Sequence, residues 1–229
     1  MGPNGAILTA LNLFAAKADL FLTQLQETIA ARAAEGRPVS HVIIDTPGQI
    51  EAFAWSASGS ILSQLLSLSG PTCLLYLLDT PRCSSSPATF ASAALYGVSI
   101  RLRLRLPLVL VLTKGDLEDS STIMTYLVDP EELGAAVREH AVESTSYMGS
   151  LTTSLGLVLE KFLQLIDTVP DVSAATGANL EELLRAIERQ RAVYFSDTLP
   201  RLQAQASANL AARAATTADT QAAFDADQF

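Results

Sequence analysis

The sequence contains few cysteines, few basic residues and no long uninterrupted apolar run. Two cysteines among 229 residues are too few for the disulfide framework of a small secreted domain, and they favour a reducing compartment. Because 15 Lys and Arg face 24 Asp and Glu, giving a net charge of −9, we expect no direct binding of nucleic acid, which requires clustered basic side chains. The longest apolar stretch is interrupted by Gln64 and by Gly70-Pro71. It falls short of the roughly 18 apolar residues of a membrane span, so we expect no membrane segment.

The composition supplies ample material for one globular core. Of the residues, 49% are hydrophobic and 17% are charged, which differs from the composition of disordered chains. We predict one domain over residues 1–195 and an acidic tail rich in Ala and Thr, flexible or helical, over residues 196–229. The one basic stretch, RLRLRL at Arg101, Arg103 and Arg105, is interpreted as a polar face that leads into a strand, with a partner or anion site as the alternative.

Four short apolar runs predict β-strands. They are HVIID, TCLLYLLD, LPLVLVLTKGD and DTVPDVSAATG, which stop at or pass Asp45, Asp79, Thr113 to Asp116, and Ser173. Stretches with helical spacing separate them, at roughly residues 6–35, 56–69, 86–100, 130–167 and 179–195. Apolar runs without alternation are typical of strands buried on both faces of a parallel sheet. The sequence therefore predicts an α/β fold with a doubly wound, mostly parallel sheet, and a ligand site at the carboxyl ends of its strands.

The first run continues into DTPGQIEAF, which starts at Asp45. A carboxylate at a strand end can hold Mg²⁺, often through water, and Gly48 lets a backbone N–H approach a phosphate closely. Gln49 and Glu51 follow, where an attacking water would be positioned. Taken alone, the motif is more typical of a strand end followed by a Pro-Gly turn.

The third run ends in TKGD, from Thr113 to Asp116. The carboxylate of Asp116 can accept hydrogen bonds from both N1–H and the exocyclic amine of guanine, a pairing that adenine cannot make. Lys114 would lay its alkyl stem along the base and ribose. Thr113 stands where Asn is commoner in guanine-specific proteins, and its hydroxyl can tie neighbouring loops together. Taken alone, this motif is more typical of a charged turn after a strand.

The fourth run ends in SAATG, immediately before the helical stretch NLEELLRAI. Small residues at Ser173 and Ala174 would let a backbone N–H reach the guanine O6, and Gly177 permits the turn into the helix. The alternative is an ordinary helix N-terminus with Asn179 as its cap. Each motif is weak alone, but their order, each at the end of a predicted strand, predicts a guanine-nucleotide site.

The segments GPNG, DTPGQIEAFAWSASG, TKGD and SAATG together resemble the GPN-loop GTPase family. The resemblance implies a P-loop NTPase type of fold with inserted helices, GTP or GDP and Mg²⁺ as ligands, and a nucleotide-dependent dimer. Gly2, Pro3 and Asn4 would form a loop that reaches the phosphates bound by the partner subunit. Asn4, Gln49 and Glu51 are then the candidate catalytic residues.

The resemblance covers roughly residues 1–195 and also implies a cellular role. The implied protein is a homodimer, or a heterodimer with a paralogous GPN-loop GTPase, and it assists the assembly and nuclear import of RNA polymerase II through the polymerase subunits or assembly factors. It would be cytoplasmic and shuttle to the nucleus. The helical stretch between Asp116 and Ser173 would form part of the dimer surface, or a helical pair that completes the core.

Members of the family carry a phosphate-binding loop, G-x-x-x-x-G-K-[ST], on a strand upstream of the Gly-Pro-Asn tripeptide. The 229 residues contain no such motif. We therefore expect a domain without its N-terminal phosphate-loop strand, with unpaired groups on the neighbouring strands, that either folds poorly or hydrolyses GTP negligibly. Two interpretations stay open: an incomplete version of a GTPase, or a catalytically inactive fragment for dimerisation and partner binding. An ATP-dependent relative is disfavoured by Asp116.

Overall fold

Three parallel strands form the sheet around which the chain folds. The computed structural model describes residues 2–140 and 166–209, and its strands are β1 (Leu74–Asp79), β2 (Leu108–Thr113) and β3 (Asp167–Val172). They lie in the order β1-β2-β3, and each neighbouring pair is parallel. The predicted α/β fold is confirmed, with three of the four predicted strands in a parallel sheet.

Helices occupy the connections between the strands and the segments around them. In chain order they are α1 (Pro3–Ala16), α2 (Ala18–Ala34), α3 (Ile50–Ala54), α4 (Ala57–Ser69), α5 (Thr80–Ser84), α6 (Pro87–Leu104), α7 (Ser121–Val128), α8 (Pro130–His140) and α9 (Leu180–Val193). A π-helical turn, Tyr194–Thr198, follows α9, and residues 199–209 are again helical.

The predicted helical stretches agree with these bounds where the structure describes them. The stretch 6–35 is found as α1 and α2, which are bent by 67° relative to each other. Residues 141–165, within the predicted stretch 130–167, and residues 210–229 of the predicted tail lie outside the described residues. In the described part of the chain, no single helix is long and apolar enough to span a membrane, and only the bent pair α1–α2 reaches that length and composition.

The strand β2 is buried on both faces because helices cover the sheet from two sides. Successive strand residues point to opposite faces. Leu108, Leu110 and Leu112 pack on one face with residues of α6, α7 and α8, while Val109 and Val111 pack on the other face with β3 and α9. All five side chains are almost fully buried. This two-sided burial is the reason why the run has no polar alternation.

The RLRLRL stretch is helical, so its interpretation as a polar face leading into a strand is wrong. Arg101 and Arg103 lie in the last turn of α6, and Arg105 follows as its C-terminal cap with a left-handed φ of 53°. Basic side chains stabilise this end of a helix because they face the negative end of the helix dipole.

The predicted strand HVIID is also wrong. Residues 37–47 have no regular secondary structure, and Ile43 is 90% exposed. A strand forms only where its backbone groups find partners, and the sheet of the described residues contains no strand beside this segment. The apolar composition of HVIID was therefore not sufficient to make it a strand.

In the described part of the sheet, β1 has one unpaired edge. The N–H of Leu74 donates to the carbonyl of Pro107 at 2.8 Å, so Leu74 faces β2, and Leu75 and Leu77 direct their backbone groups away from β2. The side chain of Leu77 is 60% exposed. An apolar, unpaired strand edge is a template for pairing with another chain.

We expect Leu77→Lys to lower self-association of the chain, because a charged side chain on an exposed edge opposes edge-to-edge pairing. The free energy of unfolding should change by less than about 0.5 kcal/mol, as at other exposed positions. Sedimentation velocity over a concentration series measures the association. Leu117→Lys, at a comparably exposed leucine in a loop, is the matched control. Equal association of the wild type and Leu77→Lys would show that this edge does not pair.

Candidate nucleotide site

Two side chains tie the carboxyl end of β2 to the end of β1. Thr113, the last residue of β2, donates its hydroxyl hydrogen to the carbonyl of Leu78 at 2.7 Å. Lys114 adopts a left-handed φ of 63°, and its Nζ lies 2.5 Å from Oδ2 of Asp79. These contacts fix the position at which the TKGD loop leaves the sheet.

Asp79 was not predicted as a site residue, although the run TCLLYLLD ends on it. Besides pairing with Lys114, its carboxylate accepts the backbone N–H of Arg82 in the first turn of α5 at 3.3 Å. The hydrogen bond from Lys114 is the main cause that lowers the pKa of the Asp79 carboxyl, and the one from Arg82 adds to it. Asp79 therefore stays ionised and holds the Lys114 ammonium at the strand ends. The signal that could have found it is a carboxylate that ends a buried strand.

Gly115 brings the TKGD loop against the loop that follows β3. Its N–H donates to the carbonyl of Val172 at 3.3 Å, and a Cβ at this position would lie 2.5 Å from the Cα of Asp171. The side chain of Asp171 in turn accepts the N–H of Ser120 at 2.8 Å. Only glycine allows so close an approach of two backbones. The loops after β2 and β3 therefore lie in contact.

Asp116 is exposed next to this loop contact. On the C-terminal side of Asp116, the backbone is fixed by a hydrogen bond from the N–H of Leu117 to the carbonyl of Lys114 at 2.9 Å. Among the described residues, the carboxylate of Asp116 has neither a hydrogen bond nor an ion pair. Both of its oxygens are available to a ligand.

The SAATG segment forms a hydrogen-bonded turn before α9. Ser173 is buried, and its carbonyl accepts the N–H of Gly177 at 3.0 Å. Gly177 has a φ of 78°, the left-handed conformation that favours glycine, and Ala174 is exposed within the turn. Asn179 makes no capping hydrogen bond with its side chain, which instead donates to the carbonyl of Pro170 at 3.1 Å.

Gly2, Pro3 and Asn4 begin a helix and do not form the predicted loop. Gly2 is the N-cap of α1, and Pro3 lies in its first turn, where the fixed φ and missing N–H of proline are tolerated. The side-chain oxygen of Asn4 accepts a hydrogen bond from Nε2 of Gln49 at 2.8 Å. Two of the candidate catalytic residues, 45 positions apart, are thus in contact.

The segment from Asp45 to Glu51 is held by contacts at its end. Glu51 lies in α3 and accepts a hydrogen bond from the hydroxyl of Tyr96 at 3.2 Å. A Cβ on Gly48 would meet nothing within 4 Å, so packing does not demand a glycine there. Asp45 is exposed and, in the described part of the chain, has no hydrogen bond or ion pair.

Asp45 is the residue that could contact Mg²⁺. The described residues contain no group of three or more His, Cys, Asp or Glu that could hold a metal ion. A single exposed carboxylate fits a hydrated Mg²⁺ whose other ligands are water and nucleotide phosphate, because Mg²⁺ retains several of its waters. It does not fit a metal site built from protein ligands alone.

Eight of the twelve predicted site residues fall into two groups in the structure. The first group, at the ends of β2 and β3, comprises Thr113, Lys114, Asp116, Ser173 and Ala174. The second group comprises Asn4 in α1 with Gln49 and Glu51 at α3. Among the described residues, no hydrogen bond or ion pair joins the two groups, and Asp45 belongs to neither.

Known proteins resemble this chain over most of its length. Residues 1–192 match a family model described as "Conserved hypothetical ATP binding protein". The chain is 39% identical over 208 residues to GPN-loop GTPase 1 of Schizosaccharomyces pombe, and the alignment covers 89% of this chain and 54% of that protein. It is 42% identical over 195 residues to GPN-loop GTPase QQT2 of Arabidopsis thaliana, with 85% and 48% covered. The chain belongs to the GPN-loop GTPase family.

A solved structure shares the fold of this family member. The apo form of a GTPase from Pyrococcus abyssi aligns with a TM-score of 0.65 and 22% identity, covering 83% of this chain and 71% of that one. Likeness at this level of identity concerns the fold alone. The chain spans about half the length of the curated GPN-loop GTPases that it matches.

Gly115→Ala should lower the free energy of unfolding by about 1–3 kcal/mol, because the added methyl group would overlap the Asp171 backbone and force the two loops apart. Urea denaturation measures the loss. Gly70→Ala is the matched control, since a Cβ there meets nothing within 4 Å. Equal stability of the two variants would contradict a tight contact between the loops.

Proposed function

We propose that this chain binds guanine nucleotide at the ends of β1, β2 and β3 and takes part in GTP hydrolysis. The observation that carries the proposal is the exposed carboxylate of Asp116, which has no partner among the described residues, beside the loop contact that Gly115 permits. The turn at SAATG lies on the other side of this contact and offers small residues to the edge of a base. Membership of the GPN-loop GTPase family supports the proposal independently.

Guanine fits this arrangement better than adenine. Guanine presents N1–H and its exocyclic amine side by side as two donors, and the carboxylate of Asp116 offers two acceptors. Adenine presents an acceptor at N1, which would leave one oxygen of Asp116 facing another acceptor. The family model is described as ATP binding, but the chemistry of Asp116 and the names of the relatives favour GTP.

The second group of residues would serve the phosphates. The Asn4 side chain is oriented by its hydrogen bond from Gln49, and its amide hydrogens stay available for a phosphate oxygen or for the attacking water. Glu51, two residues after Gln49, would offer its carboxylate to the same attacking water. Asp45 would hold a water molecule of Mg²⁺, which neutralises charge on the phosphates.

The dimer, its clients and its location rest on the family resemblance alone. We propose a homodimer or a heterodimer with a paralogous GPN-loop GTPase, which assists RNA polymerase II assembly and nuclear import by contacting polymerase subunits or assembly factors. The protein would be cytoplasmic and shuttle to the nucleus.

A catalytically inactive fragment that binds partners is the second candidate. The 229 residues contain no G-x-x-x-x-G-K-[ST] phosphate loop, and Leu77 exposes an apolar side chain at a strand edge that no other described strand pairs with. Base contacts supply only part of the binding free energy of a nucleotide, because backbone N–H groups and a lysine of such a loop bind the phosphates. A chain that reads the base alone would bind GTP weakly.

Titration of the 229-residue chain with a fluorescent GDP analogue and Mg²⁺ separates the two candidates. We expect a saturable signal that unlabelled GDP displaces and ADP does not, because only guanine matches Asp116. A dissociation constant of about 1 μM, equivalent to about −8 kcal/mol, would support a nucleotide-dependent protein. Absence of binding at about 1 mM would contradict the guanine-nucleotide proposal and favour the inactive fragment.

Asp116→Asn should shift the preference of the chain from guanine towards xanthine nucleotides. The amide of Asn would present a donor to the guanine N2 amine, whereas it can pair with the carbonyl that xanthine carries there. We expect GDP affinity to fall at least about tenfold, since a hydrogen bond to a charged group contributes about 1.5–3 kcal/mol. Asp119→Asn is the matched control. It makes the same change at a nearby aspartate whose carboxylate is already engaged by the N–H of Ser121. An unchanged base preference in Asp116→Asn would mean that Asp116 does not read the base.

A further inference from the structure

The single tryptophan of the chain is held by two side chains of α6. Trp55 directly follows α3 and is 43% exposed. Its Nε1 donates to the hydroxyl of Tyr96 at 2.8 Å, and the two rings meet edge to face with centroids 6.1 Å apart. The guanidinium carbon of Arg103 lies 5.1 Å from the centroid of the indole ring. Aromatic and cation–π contacts of this geometry favour one orientation of the indole.

Arg103 also binds the C-terminal end of α3. Its Nε donates to the carbonyl of Ala54 at 2.7 Å, and its Nη2 donates to the carbonyl of Trp55 at 3.1 Å. The last carbonyls of a helix have no partner within the helix. Because α3 has only five residues, it needs contacts from outside to persist. Arg103 supplies two of them.

Tyr96 connects α6 to Glu51, the acidic residue of the second group. Its hydroxyl accepts from Trp55 and donates to Oε1 of Glu51 at 3.2 Å. Loss of hydration raises the pKa of Tyr96, and the contact with Glu51 raises it further, against the opposite effect of the bond from Trp55. The hydroxyl therefore keeps its proton at neutral pH and orients the Glu51 carboxylate.

Backbone packing fixes the other side of α3. A Cβ on Gly59 in α4 would lie 2.0 Å from the carbonyl oxygen of Phe53, so α4 approaches the α3 backbone closely. At the start of α3, Gln49 donates to Asn4. The short helix is thus held at its beginning by α1, along one side by α4, and at its end by α6.

We propose that Tyr96 and Arg103 are positioning residues that hold α3 so that Gln49 and Glu51 face the phosphates of the bound nucleotide. This inference rests on the proposed function, which places the phosphates beside α3. Loss of either contact should loosen α3 and leave the sheet folded, because neither residue belongs to the apolar clusters that flank the sheet.

Acrylamide quenching of Trp55 fluorescence in the 229-residue chain, together with hydrogen exchange of the α3 amides, measures how firmly α3 is held, because Tyr96 and Arg103 also contact the indole itself. A hydrogen bond lost at an exposed site shifts a local open–closed equilibrium by roughly fivefold. We therefore expect the quenching constant to rise about twofold in Tyr96→Phe and in Arg103→Met, and less in Arg103→Lys, which keeps one donor group.

Two matched variants that also alter α6 or its contacts control for unspecific loosening of the fold. Tyr76→Phe removes a hydroxyl that donates to the carbonyl of Ala93 in α6, and Arg101→Met removes a guanidinium two positions from Arg103. In the described part of the chain, neither residue makes a hydrogen bond to α3. Both controls should leave the quenching of Trp55 unchanged.

The effect of nucleotide on the same signal tests the positioning role. With Mg²⁺, a non-hydrolysable GTP analogue should lower the quenching constant of the wild type relative to GDP, since only the triphosphate extends to Gln49 and Glu51. Tyr96→Phe should lose most of this difference and bind the analogue less tightly, while its affinity for GDP stays unchanged.

Each result decides a separate part of the inference. Wild-type quenching in Tyr96→Phe and Arg103→Met would overturn the anchoring of α3. Looser variants together with equal wild-type signals for GDP and the analogue would overturn the positioning role. If the wild type bound no guanine nucleotide, the proposed function and the positioning role would both fail, while the quenching of the nucleotide-free variants would still decide the anchoring.

Discussion

The strand β2 pairs with a parallel strand on each side and is buried on both faces, and the position of the candidate site follows from this arrangement. Parallel pairing brings the carboxyl ends of all three strands to one edge of the sheet. Residues far apart in the sequence, such as Asp79 and Lys114, therefore meet there. The close approach of Gly115 to Asp171 then joins the loops after β2 and β3. The candidate base-binding surface is a consequence of sheet packing as much as of its motifs.

The N-terminal helices depend less on the sheet. Leu11, Ala18 and Leu62 form an apolar cluster of their own, against which Phe53 of α3 packs. Polar contacts of Tyr96 and Arg103, one exposed and one part-buried, join α3 to α6. Such contacts contribute less free energy than the burial of large apolar side chains. The part of the site that would read the base is therefore held by the large core around the sheet, whereas the part that would serve the phosphates is held by the smaller N-terminal cluster and by polar contacts with α6.

Sequence patterns predicted the features that depend on local composition and missed those that depend on distant partners. TCLLYLLD, LPLVLVLT and DTVPDV are strands as predicted, but HVIID, with a similar composition, is not, because composition does not record whether a partner strand is present. The motif TKGD contained Gly115, yet its contact with Asp171 appears only in the fold. The bond from Tyr96 to Glu51 spans 45 positions and follows from how α3 packs against α6, which no motif encodes.

The proposal that the loops after β2 and β3 form one guanine-binding surface can be tested by two-dimensional NMR of the isotope-labelled chain during titration with GDP. We predict that the largest changes in amide chemical shift occur in the TKGD and SAATG loops, and that ADP at the same concentration causes no such changes there. Changes confined to other parts of the chain, or the same changes with ADP, would contradict the claim.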